Sequence, residues 1–135
     1  MDKRTGGCLC GGVRYECGEP VLTGVCHCTH CQKTTGSAFS ILIGVPADSV
    51  RVTKDATLAV YEDMGSSGKP VLRKFCRNCG APVISDAKAF PDILFVKVGT
   101  LDDTSSTKPT MHIWTGSAQP WVQIDETATK FPGNP

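Results

Sequence analysis

Eight cysteines stand in this chain of 135 residues, and two groups of them have the spacing of metal ligands. The stretch CHCTHCQKTTGSAF, residues 26–39, holds Cys26, Cys28 and Cys31 together with His27 and His30. In an extended backbone, residues i and i+2 point to the same face. Cys26 and Cys28 therefore share a face, His27 points away from it as a poor co-ligand, and Cys31 returns from the start of a short helix. Three thiolates leave one position on a tetrahedral ion. Cys17, His30 or His112 can fill it from within the chain, giving a closed structural site. Water or a substrate atom can fill it instead, the mark of a catalytic zinc.

The ligand set restricts the chemistry. Three thiolates donate strongly and leave zinc a weak Lewis acid, so a bound water is poorly activated and hydrolysis is not the expected reaction. A substrate thiol is the better fourth ligand, because a thiol that coordinates zinc is deprotonated outright. Four thiolates on one zinc carry an excess of about two negative charges, which keeps the incoming sulfur nucleophilic. The expected reaction is attack of that thiolate on a carbon electrophile, or the reverse carbon–sulfur cleavage. Lys33 can meet an anionic substrate group, and Thr34 and Ser37 offer hydroxyls beside Gly36. Each also has a plain structural use, as a solvated charge or a helix-terminating residue.

The second group is Cys8 and Cys10 in CLCGG with Cys76 and Cys79 in CRNCG. The CRNC spacing makes a tight turn whose backbone N–H groups aim at sulfur, and Gly80 can take the left-handed conformation that follows. CLC on an extended strand presents both sulfurs to one face. Four converging thiolates form a closed tetrahedral zinc site. The two pairs are far apart in sequence, so the ion closes a long loop and stabilises accordingly. A redox dithiol at Cys76 and Cys79 is the alternative.

Composition sets the frame. Hydrophobic residues are 40% and charged residues 20%, values of an ordinary globular protein. The length suits a single domain over 1–135. The net charge of +1 offers no field for nucleic acid or a membrane surface. MDKRTGGCLCGG lacks the apolar core of a signal peptide. No apolar run approaches the roughly 18 residues of a membrane-spanning helix. A cytoplasmic location is therefore expected, and in that reducing compartment clustered cysteines bind metal rather than pair as disulfides.

The elements that must position these cysteines are mostly short strands. Runs rich in β-branched and aromatic residues occupy 12–17, 21–28, 38–46, 49–53, 57–62, 70–76, 81–86 and 92–101, with Gly and Pro between them. Several alternate with period two: Val13, Tyr15 and Cys17 face one way, and Ile93, Phe95 and Lys97 oppose Leu94, Val96 and Val98. Residues 29–36 read as one short helix ending at Gly36, and GSSGK at 65–69 as a flexible hairpin tip. The polar, Pro-rich tail at 126–135 is expected to pack loosely, with Phe131 tacking it to the body. In MHIWTGSAQPWVQI, residues 111–124, Trp114, Pro120 and Trp121 serve as packing or wall the open site, and His112 is a candidate proton shuttle there.

Taken in order, GGCLCGGVRYEC, CHCTHCQKTTGSAFS, SSGKPVLRKFCRNCGAPV, VKVGTLDD and HIWTGSAQPWVQI resemble the glutathione-dependent formaldehyde-activating enzyme family, which includes centromere protein V. The resemblance spans nearly the whole chain. It implies a mainly β protein, a β-tent fold of antiparallel sheets with zinc-binding hairpins, one or two short helical turns and two Zn2+ per chain; the second, held by three cysteines only, is expected to be the labile one. It implies that Cys8, Cys10, Cys76 and Cys79 hold the structural zinc, and that Cys26, Cys28 and Cys31 are the substrate-facing, catalytic ligands. Cys17 lies outside the motifs and is expected to be a core thiol. The implied activity is condensation of glutathione with formaldehyde to S-(hydroxymethyl)glutathione, classed as a carbon–sulfur lyase reaction. Lys33, Ser37, His112 and Trp121 are the expected substrate contacts, and a small thiol such as glutathione the expected partner. Two other readings compete: a module that binds glutathione without turnover, and a two-zinc scaffold for protein partners.

Overall fold

A computed structural model describes residues 3–135. A small sheet contains β1 (Arg4–Gly7), β2 (Val13–Cys17) and β5 (Arg51–Asp55), with β2 in the middle. A large sheet contains β3 (Leu22–Cys26), β4 (Ser40–Pro46), β6 (Leu58–Met64), β7 (Pro70–Cys76), β8 (Pro82–Ala87), β9 (Ile93–Lys97), β10 (Met111–Ile113) and β11 (Thr129–Lys130). Its spatial order is β11-β10-β3-β4-β9-β8-β7-β6. The pairing is antiparallel except at one end, where β10 runs parallel to both β3 and β11. The mainly β expectation holds, with this mixed edge as its exception. No helix among the described residues is long and apolar enough to cross a membrane.

Register divides the large sheet into two faces. Ile43 lies opposite Val96, and Val96 opposite Ile84. These side chains join Val45 and the Val13, Tyr15 and Cys17 set of β2 in one buried cluster. The period-two alternation read in β2 and β9 is thus the alternation between the core and the other side. Burying each Val or Ile contributes about 1.5–3 kcal/mol, so this cluster dominates the stability of the two-sheet arrangement. On the opposite face, Leu42 lies across from Lys97, and Gly44 and Ser85 from Phe95. That face is not packed against the small sheet. It lines a cavity.

The single α-helix among the described residues, α1, runs from Thr29 to Thr35. Cys28 is its N-cap, its sulfur accepting from the Cys31 N–H at 3.1 Å. Gly36 ends the helix at φ 65, a left-handed conformation that glycine adopts at little cost. Strand bounds differ from expectation by a few residues, and the run at 92–101 breaks into β9 and a single 3-10 turn at Val98–Thr100. CLC is not on a strand. Cys8 follows β1, and Leu9 and Cys10 lie in a turn with Gly11 at φ 79. The turn brings both sulfurs together where a two-residue strand repeat was expected to do so.

The tail corrects a further expectation. Residues 126–135 are tied down rather than loose. β11 pairs with β10, the Phe131 N–H donates to the His112 carbonyl at 2.9 Å, and the Phe131 carbonyl accepts from Thr115 N–H at 3.1 Å. The backbone groups of a polar segment can be satisfied by an open sheet edge, whatever its side chains. Residues 65–69 do close the β6–β7 hairpin, with Gly68 at φ 81.

Gly6 of β1 is packed closely between Tyr15 of the neighbouring β2 and the 3-10 turn at Val98–Thr100. A Cβ placed there overlaps the Tyr15 hydroxyl and the Thr100 carbonyl oxygen. Gly6→Ala is expected to destabilise the protein by about 1–3 kcal/mol, the cost of overpacking a filled interior. Urea unfolding of the variant beside the parent measures it.

Candidate metal centre

All eight cysteines are free thiols. Seven of them form two clusters in which the sulfurs all lie within 4.8 Å of one another: Cys8, Cys10, Cys76 and Cys79, and separately Cys26, Cys28 and Cys31. Cys17 belongs to neither cluster and is buried in the core, as expected of a structural thiol.

In the four-cysteine cluster, Sγ of Cys10 lies 3.7 Å from that of Cys8 and 3.6 Å from that of Cys76. A disulfide needs about 2.0 Å, so these are separate sulfurs. A tetrahedron built with Zn–S near 2.3 Å has edges of about 3.8 Å, so the spacing fits zinc. The cluster joins the β1–β2 turn to the β7–β8 turn. Local hydrogen bonds prepare the sulfurs for negative charge. The Thr57 hydroxyl lies 3.1 Å from Cys76 Sγ, the Cys79 N–H donates to it at 3.4 Å, and the Val13 N–H donates to Cys8 Sγ at 3.2 Å. Thr57, followed by the Cys79 and Asn78 N–H groups, holds the Cys76 thiol down to about 6. Gly80 stands at φ 79 after the turn, as its sequence position requires. Cys76 is fully buried whereas Cys10 is exposed, so the cluster is anchored in the core and opens at its rim.

The three-cysteine cluster has a different setting. Cys26 ends β3, Cys28 caps α1, and Cys31 lies in the first turn of α1. Leu42 packs against them, with Ile113 and Trp114 alongside. All three cysteines line a cavity of about 440 Å³ on the core-distal face of the large sheet. The Cys28 thiol is pushed down by hydrogen bonds with Cys26 and Cys31, while that of Cys26 is pushed up by its hydrogen bonds with Cys28 and Cys31. The three sulfurs are close enough to share one cation. The donor set is soft sulfur throughout, which suits zinc.

Two cations stand beside this cluster that sequence reasoning did not single out. Lys97 is 8% exposed and donates from Nζ to the Ser40 hydroxyl at 2.7 Å. Ser40 is the cross-strand partner of Cys26. Lys97 forms no salt bridge with a carboxylate among the described residues. Burial pushes its ammonium down, while Cys31, then Cys26 and Cys28, pull it up. Arg73 lines the same cavity and donates from Nε to Asp63 at 2.9 Å. Burial alone would raise Asp63, but the hydrogen bonds from His30 and Arg73 outweigh it and hold the carboxyl at about 2. His30 is therefore engaged with Asp63 at 2.7 Å rather than with the cysteines. Lys97 was detectable in principle, as a lysine in phase with Ile93 and Phe95 on an otherwise apolar strand. Arg73 in β7 is in phase with Val71.

The expected substrate contacts lie elsewhere. Lys33 is exposed and stands outside the cavity, because two residues along a helix turn a side chain about 200° away from Cys31. Ser37 is exposed beyond the left-handed Gly36, where the chain has turned away. His112 alternates with the cavity-lining Met111 and Ile113 and so points to the opposite side. Its Nδ1 lies 2.9 Å from Nε2 of the fully buried His27, and the two rings stack. His27 thus faces away from the sulfurs, as its position between Cys26 and Cys28 predicts. Trp121 is 71% exposed and does not line the cavity. Trp114 does, with φ 58, its N–H bonded to the Gly133 carbonyl and its Nε1 to Asn134. The docked tail therefore holds the one aromatic wall taken from this segment.

Comparison with known proteins agrees with this geometry. Residues 3–117 match the family described as glutathione-dependent formaldehyde-activating enzyme. A Penicillium rubens protein named as a candidate glutathione-dependent formaldehyde-activating enzyme is 32% identical over 114 residues, covering 78% of this chain. The chain spans 58% of that relative's length. The crystal structure of a Rhodobacter sphaeroides structural-genomics target matches with a TM-score of 0.61 at 23% identity, over 76% of this chain and 91% of that one. This last likeness is one of fold alone. With the family match running through both cysteine clusters, the chain belongs to the glutathione-dependent formaldehyde-activating enzyme family.

Proposed function

We propose that the chain is a zinc-dependent carbon–sulfur lyase that joins a small thiol to a small carbonyl compound, as in formation of S-(hydroxymethyl)glutathione. The supporting observation is that a cluster of three cysteines, and no fourth ligand among the described residues, faces a cavity beside two cations. In this reading Cys8, Cys10, Cys76 and Cys79 hold a structural zinc, and Cys26, Cys28 and Cys31 hold the reacting one. Zinc at the second cluster would supply a sulfur-binding position that keeps a substrate thiol deprotonated near pH 7.

The chain's own residues do the remainder. Lys97 offsets the negative charge that gathers at the three sulfurs, from a fixed position on Ser40. Its burial strengthens that interaction, because few waters screen it. Arg73, oriented by Asp63, presents a second positive charge for an anionic group on the thiol substrate or for the carbonyl oxygen as it gains charge. The apolar walls around Leu42 and Trp114 exclude water from the reacting atoms. The thiol loses one proton and the carbonyl oxygen gains one, so no external acid or base is consumed.

Zinc-loaded protein mixed with glutathione and formaldehyde tests the reading. NMR is expected to show adduct formation and exchange faster than in the protein-free mixture. A rate equal to the uncatalysed one removes the lyase assignment. Saturable glutathione binding without acceleration would leave a binding module in its place.

A further inference from the structure

Arg73, Lys69 and Lys97 of the cavity suit an anionic thiol, but a large part of its wall is apolar. Leu42, Val71, Phe90, Ile93, Phe95 and Ile113 line it, supplied by four strands and the β8–β9 turn. Phe90 and Phe95 meet edge-to-face, with ring centroids 6.2 Å apart, and form a fixed aromatic corner. Among the described residues no aspartate or glutamate lines the cavity, so the ammonium of glutathione finds no side-chain carboxylate there. Formaldehyde has no apolar body to cover these side chains. Formaldehyde thus leaves the apolar surface without a use. Binding energy from such a wall reaches a reaction only through a substrate that touches it.

Taking the proposed thiol–carbonyl chemistry as given, we propose that the carbonyl partner of this site is an aldehyde with an apolar body, a medium-chain aliphatic aldehyde rather than formaldehyde. Its hydrocarbon chain lies along the Phe90–Phe95 corner, and its carbonyl carbon meets the thiol at the end of the cavity held by Cys26, Cys28 and Cys31. One carbon–sulfur bond forms, the carbonyl π bond breaks, and the proton of the thiol ends on the former carbonyl oxygen. The product is a hemithioacetal, and no oxidant or reductant takes part.

The test compares formaldehyde, acetaldehyde, butanal and hexanal, each with glutathione and the zinc-loaded protein. NMR exchange rates are divided by those of the same mixture without protein, which removes intrinsic electrophilicity. The rate enhancement is expected to rise about tenfold from acetaldehyde to hexanal, a modest return for methylenes placed in an apolar pocket. A flat or falling series overturns this inference, and acceleration with formaldehyde alone would leave the lyase reading standing. No acceleration with any aldehyde overturns both. Phe90→Ser, at the aromatic corner, is expected to lower the ratio of hexanal to formaldehyde enhancement severalfold; an unchanged ratio contradicts the assignment.

Discussion

Cys79→Ser is expected to unfold the protein, whereas Cys31→Ser leaves it folded. The two cysteines have the same chemistry, but their clusters close different lengths of chain. The four-cysteine cluster links the β1–β2 turn to the β7–β8 turn and rests on Cys76 in the core. A structural zinc in such a site contributes on the order of 10 kcal/mol, against a total stability of about 5–15 kcal/mol for an ordinary domain. Loss of one ligand therefore removes most of the margin. The cluster of Cys26, Cys28 and Cys31 closes only the short link between β3 and α1, which is already fixed by strand pairing and by the cap from Cys28. Its loss is expected to cost no more than about 2 kcal/mol while abolishing turnover. Circular dichroism melts of the two variants decide this, and equal destabilisation would contradict the division into structural and reacting sites. Chelation should follow the same order, with the reacting site emptied before the fold is lost.

Lys97→Met is expected to separate stability from function in the opposite sense. A buried ammonium without a carboxylate partner costs stability, so its replacement by an apolar side chain of similar length should be neutral or stabilising. Without that charge, the three sulfurs lose the cation that balances them. Groups that support metal ligands from behind typically matter by about 10–100-fold in metal affinity or activity. A loss of that size is expected at the second site, in chelator competition and in adduct formation alike. Lys97→Arg, which keeps the charge, should restore part of both. Unchanged metal affinity in Lys97→Met would show that Lys97 serves only packing.

The two cysteine clusters were legible because metal chemistry acts through residue type and short spacing. CxC and CxxC patterns carry their geometry with them, even where the chain supplies it by a turn at Cys8–Cys10 rather than a strand. The helix at Thr29–Thr35 and its stop at Gly36 were equally local. Ser40, Arg73 and Lys97 were not, because their closeness to sulfur depends on register across β3, β4, β9, β8 and β7. A single strand shows that Lys97 shares a face with Phe95, and only pairing shows that this face also carries Cys26. The same holds for His112. Residue type made it a plausible proton shuttle, but the parallel register of β10 with β3 turns it toward His27. The three-residue β10 and the two-residue β11 are too short to carry a period, and they exist through tertiary pairing of backbone groups.

The most direct test of the account is zinc-edge X-ray absorption of the metal-loaded protein before and after addition of glutathione. Two zinc ions per chain are expected, with a rise in the mean number of sulfur neighbours per zinc when glutathione is added. No such rise is expected in a variant whose Cys26, Cys28 and Cys31 are all serine. A sulfur count in the parent protein that glutathione leaves unchanged would contradict the account.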